Sequence, residues 1–169
     1  MKKFIKKLND LNACKDAVAW ASNYKTLQEA WNVCERGDWM LWLYENVVGV
    51  DNTLLRSGAD CASLVKHLME DKRSLDAIQA VYDYCDGNIT REQLKAASHA
   101  AYAAASHAAY SAAAYSAASA ASAASAAAYS AAYSVYSAAY AAAKEETYTK
   151  CAAIARKNLD YNLIQKLLK

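Results

Sequence analysis

Over the first 96 residues, apolar positions recur at intervals of three and four and are broken by short polar stretches, which predicts a series of short amphipathic helices. The opening Met1-Lys2-Lys3-Phe4-Ile5-Lys6-Lys7 begins like a signal peptide, but Asn9, Asp10 and Asn12 interrupt any apolar core, so it reads as an amphipathic first helix. Thr26-Leu27-Gln28-Glu29 is a capping box that opens a helix expected to end near Arg36. Gly37 then reads as its left-handed C′ residue, and Asp38 as the cap of the next helix, with Trp39, Trp42 and Leu43 on one face. Gly49 and Asp51-Asn52 separate that helix from one over about 52–71. Ser74 reads as the cap of a helix with Leu75, Ile78, Val81, Tyr82 and Cys85 inward, ended by Gly87. Thr90-Arg91-Glu92-Gln93 is a second capping box, and the segment behind it is rich in alanine.

From Ala97 to Ala143 there is no charged side chain, only Ala, Ser, Tyr, two His and one Val. Without Leu, Ile or Phe the tract gains little from lipid, which argues against a membrane span. High alanine propensity and the absence of Gly and Pro favour helix over disorder. One straight helix of about 50 residues would run about 75–80 Å at 1.5 Å per residue, too long for a small domain. The stripe His99, Tyr102, Ser106, Tyr110 and the stripe Tyr129, Tyr133, Tyr136, Tyr140 point to opposite sides of a continuous helix, so a bend or reversal is expected within 116–127, where serine recurs every third residue. Beyond Ala143, Cys151, Ile154, Ala155, Leu159, Leu163, Ile164, Leu167 and Leu168 recur at helical spacing and predict a final amphipathic helix packed on the first region.

Four glycines and no proline leave too few turn residues for a sheet protein, so the class is all-α: a compact multi-helix bundle, one domain over 1–169, with a short-helix core in 1–96, the charge-free tract in 97–143 and the closing helix in 144–169. Five widely spaced cysteines with no CxxC point away from a disulfide framework and towards a reducing cytoplasm. A net charge of +2 gives no footprint for nucleic acid.

Catalytic patterns are absent: there is no P-loop, GxGxxG, GxSxG or HExxH; His99 and His107, two turns apart on a helix, cannot share one metal, and Cys61 and His67, six apart, point to different helix faces. The sequence therefore reads as a non-enzymatic binding protein without metal or cofactor. Two surfaces offer themselves. His99, Tyr102, Ser106 and Tyr110 form one polar aromatic wall, Tyr129 and Tyr136 belong to a second, and His107 is a further candidate for binding. Arg36, Arg91, Lys95 and Arg156 are the cations available for a phosphate, should the ligand be a small nucleotide. Trp20, Trp31, Trp39 and Trp42 read as core rather than as a stacking platform, and an uncharged Ala/Ser/Tyr face suggests a homo-oligomer.

The string Arg36-Gly37-Asp38-Trp39-Met40-Leu41-Trp42-Leu43, preceded by Thr26-Leu27-Gln28-Glu29-Ala30-Trp31 and followed by the Ala/Tyr tract and a basic end, resembles a family of small bacterial and phage immunity proteins. The resemblance spans about residues 20–165, with the specific part at Glu35 to Leu43. It implies neutralisation of a toxin or defence component by binding. Independently of the resemblance, the string reads as a structural motif, in which Gly37 stops one helix, Asp38 caps the next and Trp39 and Trp42 anchor the pair. Sequestration of a nucleotide signal and a structural, ice-binding role of the Ala-rich helix are the alternatives.

Overall fold

The computed structural model describes residues 2–68, 72–107 and 144–168, and all statements here concern those residues. They form nine α-helices and one short 3-10 turn, with no strand: α1 Lys3–Asp10, α2 Lys15–Ala21, α3 Leu27–Val33, α4 Gly37–Val48, α5 Asn52–Ser63, the turn Lys66–Leu68, α6 Lys72–Cys85, α7 Arg91–His107, α8 Lys144–Asn158 and α9 Tyr161–Leu167. The all-α expectation holds. The bend expected within 116–127 and the Tyr129–Tyr140 stripe lie outside the described residues.

Local signals placed several helix ends correctly. Thr26 Oγ1 accepts from the Glu29 amide at 3.1 Å, while Glu29 reaches back to the Lys25 amide at 2.9 Å. Thr90 and Gln93 exchange the same pair of bonds at the start of α7. Gly87, at φ +77°, closes α6 in a Schellman turn, with Asn88 N donating to Asp83 O and Gly87 N to Tyr84 O. Asn12, at φ 61°, does the same for α1.

Other ends differ. The helix expected over 52–71 stops at Ser63. Ser74 lies inside α6, buried, and does not cap it, and Leu75 faces outward. The single closing helix is two, because Asp160 accepts from the Asn162 amide and starts α9. The largest correction concerns Gly37. The chain is extended at Cys34, Arg36 is the N-cap, and Gly37 is the first residue of α4 rather than a left-handed terminator. A Cβ on Gly37 would sit 2.5 Å from Cys151 Cβ, 2.6 Å from Cys151 C and 2.7 Å from Ala152 N. Glycine is needed there because α8 crosses α4 too closely for any side chain. Asp38 is likewise not a cap: it lies within the first turn of α4 and grips the Arg36 guanidinium.

Two apolar clusters share α5. Leu54 and Cys61 face the first, with Leu41 and Tyr44 of α4, Cys151 and Ala155 of α8 and Ile164 of α9. Leu55, Ala59 and Ala62 face the second, with Ile78 and Val81 of α6 and Leu94 of α7. Burial on both sides suits a helix rich in small and aliphatic residues. Asp60 ties the halves together, accepting from Tyr82 of α6 at 2.7 Å and from Asn158 of α8 at 2.9 Å. A half-buried carboxylate is stabilised by such partners. As expected, the C-terminal helices pack on the first region, α8 against α4 and α5 and α9 against α4.

Candidate functional site: a tryptophan-lined cleft

A cleft of about 400 Å³ opens between α2, α3 and α4. All four tryptophans line it: Trp20 from α2, Trp31 from α3, and Trp39 and Trp42 from α4. Ala13, Ala17, Ala21 and Ala30 share the lining with the indoles, and their small side chains leave space unfilled. Leu8, Leu27, Met40 and Leu43 complete the apolar wall.

The rings are braced from behind. Trp20 lies 4.8 Å from Tyr24 and 5.8 Å from Trp39, both tilted, and Trp31 lies 5.5 Å from Tyr161 of α9. Tilted rings at these separations are attractive and hold the walls open without collapse.

Besides the indole N–H groups, the polar side chains in the lining are those of Asn12, Cys14, Cys34, Arg36 and Asp38. Arg36 donates Nε to Asp38 Oδ1 at 2.8 Å and Nη2 to Asp38 Oδ2 at 2.5 Å. This hydrogen bond is the main reason the Arg36 pKa lies above its ordinary value. The same guanidinium stacks between Trp39 and Tyr148 of α8, 4.3 Å from each ring centroid. Both Asp38 oxygens are engaged, so the carboxylate is positioned as a brace rather than as a general base. Burial pushes the Cys34 thiol up to about 11, which keeps it protonated and a poor nucleophile. From the far side Arg156 of α8 donates to Cys34 O at 2.5 Å and fixes the α3–α4 connection.

The cleft thus gathers residues that sequence reasoning had assigned elsewhere. Trp31 is buried in the first apolar cluster, as its sequence context indicates, and Trp20, Trp39 and Trp42 pack against that cluster while their partly exposed sides line the cleft. Of the four candidate phosphate cations, only Arg36 lines the cleft, already paired with Asp38, and Arg156 is spent on the Cys34 carbonyl. Arg91 and Lys95 are exposed on α7, which packs with α6 in the other cluster, so the four do not assemble one phosphate site. His99 is exposed on α7 and away from the cleft. Tyr102 and His107 lie on α7, but the roles given to their side chains, like those of Tyr110, Tyr129 and Tyr136, fall outside the described residues. The signal available in the sequence was compositional: four tryptophans fall within residues 20–42.

Among the described residues no three His, Cys, Asp or Glu side chains cluster as metal ligands, and no helix is long and apolar enough to cross a membrane. All five cysteines are unpaired. Comparison with protein-family models, curated proteins and solved structures gives no match to the chain.

Proposed function

We propose that this is a non-catalytic binding protein that captures a small guest in the tryptophan-lined cleft. One observation carries the reading: four indoles from three helices converge on about 400 Å³ of space, a volume in the range of small-molecule sites. The engaged Asp38 and the protonated Cys34 support binding over catalysis. The guest class replaces the nucleotide considered from sequence, since the cations do not converge.

A second reading is favoured by a specific observation. The string on which the likeness to immunity proteins rests supplies a whole wall of the cleft, through Arg36, Asp38, Trp39, Met40, Trp42 and Leu43. In an immunity or counter-defence protein the guest would be an apolar side chain of a toxin or defence protein. Aromatic pockets are common anchors at such interfaces.

Both readings are tested with protein isolated gently from its native host, comparing the wild type with Ala17→Trp, which fills the cleft. A low-mass compound released from the wild type on denaturation, and missing from the filled variant, supports the first reading. A polypeptide retained by the wild type and lost from the variant supports the second. Equal cargo on both proteins contradicts a role for the cleft.

A further inference from the structure

The chemistry of the cleft also bears on the kind of guest. We infer that the cleft takes an uncharged, planar aromatic small molecule, an inference that rests on the cleft being the binding centre. The volume of about 400 Å³ corresponds to about 13 waters at their liquid volume. That is room for two or three fused or linked rings. Water against four indoles and aliphatic walls finds few partners, so a flat ring system that displaces it gains both burial and stacking.

Charge decides between guests of that shape. The only charged lining groups are Arg36 and Asp38, and they neutralise one another through two hydrogen bonds. An anionic guest would have to compete with Asp38 for the guanidinium. Its desolvation would otherwise go uncompensated, because Arg156 is turned to the Cys34 carbonyl from the α8 side. A cationic guest seeking the face of Trp39 would find the Arg36 guanidinium 4.3 Å from that ring centroid. A like charge there repels it. An uncharged ring meets neither obstacle, and Asn12 and Cys14 offer it uncharged polar contacts at the side of the cleft.

The inference is tested with two dyes that share their rings and differ in charge: phenylnaphthylamine, which is neutral, and anilinonaphthalene sulfonate, which is anionic. Calorimetry on the full chain should show the neutral dye binding one to one, with a dissociation constant on the order of 10 μM, and the sulfonate binding at least tenfold more weakly. The neutral dye should also slow alkylation of Cys14, an exposed cysteine that lines the cleft. Ala17→Trp and Ala13→Phe, which fill the cleft from α2 and from the α1–α2 connection, should each weaken the neutral dye at least tenfold. Circular dichroism checks that each variant is folded, and either one folded is sufficient. Sulfonate binding as tight as that of the neutral dye overturns the charge inference while leaving the cleft as the binding centre. Neutral-dye binding that both folded variants retain, with Cys14 unprotected, overturns the binding centre itself.

Discussion

Replacing Gly37 with alanine should lower stability by about 2 kcal/mol, and the size of that effect follows from one helix crossing. The new methyl carbon would lie 2.5 Å from Cys151 Cβ and 2.6 and 2.7 Å from backbone atoms of α8. Carbon atoms prefer about 3.5–4.0 Å, so α4 and α8 must separate by about 1 Å. The strained atoms are backbone and Cβ, which no rotamer change can move aside. Overpacking of this kind costs about 1–3 kcal/mol, and we take the upper end because Leu41 and Tyr44 of α4 and Ala155 of α8 lose contact along the same seam. Alanine returns about 1 kcal/mol of helix propensity, which leaves a net loss of about 2 kcal/mol. In a chain of this length that is about 4–8 °C in melting temperature. Urea denaturation of wild type, Gly37→Ala and Gly87→Asn separates the two roles glycine plays here. Gly87 has a positive φ and open space around its Cβ, so asparagine should be tolerated there. A Gly37→Ala midpoint at or above that of the wild type would refute the close crossing.

Further expectations follow from the same contacts. Leu41 is fully buried, so Leu41→Ala should cost about 2–5 kcal/mol, whereas Trp39→Ala should cost less stability but weaken neutral-dye binding at least tenfold; the reverse pattern in melting and titration would restore Trp39 to the core. Burial, followed by the bond to Asp51, pushes the Tyr44 pKa up to about 12. The unfolded chain therefore loses this proton first, and stability should fall between about pH 10 and 12, by roughly 2–3 kcal/mol from this residue; urea midpoints across that range, with Tyr44→Phe losing this part of the slope, check it. A thiol reagent should modify Cys14 fastest in the native protein, with Cys34, Cys61 and Cys151 reacting only on unfolding, and rapid modification of all five would contradict their burial. Adenosine and its monophosphate, compared by calorimetry, should differ in the nucleoside's favour, since Arg36 is engaged by Asp38.

What the sequence disclosed was local. The capping boxes at Thr26 and Thr90 and the terminator at Gly87 each depend on residues within one turn, and each formed as read. Gly37 failed for the complementary reason. Its partner, Cys151, is far along the chain, and glycine required by close approach looks the same in sequence as glycine required by a left-handed turn. Asp160 shows that a cap inside an apolar repeat can split a helix whose periodicity runs on. The cleft was illegible for another reason. Hydrophobic patterning marks which residues turn inward, but not whether the inward residues fill the space they enclose. Here Ala17 and Ala30 share the lining with four indoles, and the unfilled volume is a property of three helices together.

The most direct measurement of the central claim is a two-dimensional NMR titration that follows the indole N–H signals of Trp20, Trp31, Trp39 and Trp42, assigned by single Trp→Phe variants, as phenylnaphthylamine is added. All four residues line the cleft, so all four signals should shift together and saturate at one equivalent. Saturable binding of the dye with the four indole signals unmoved would contradict the account.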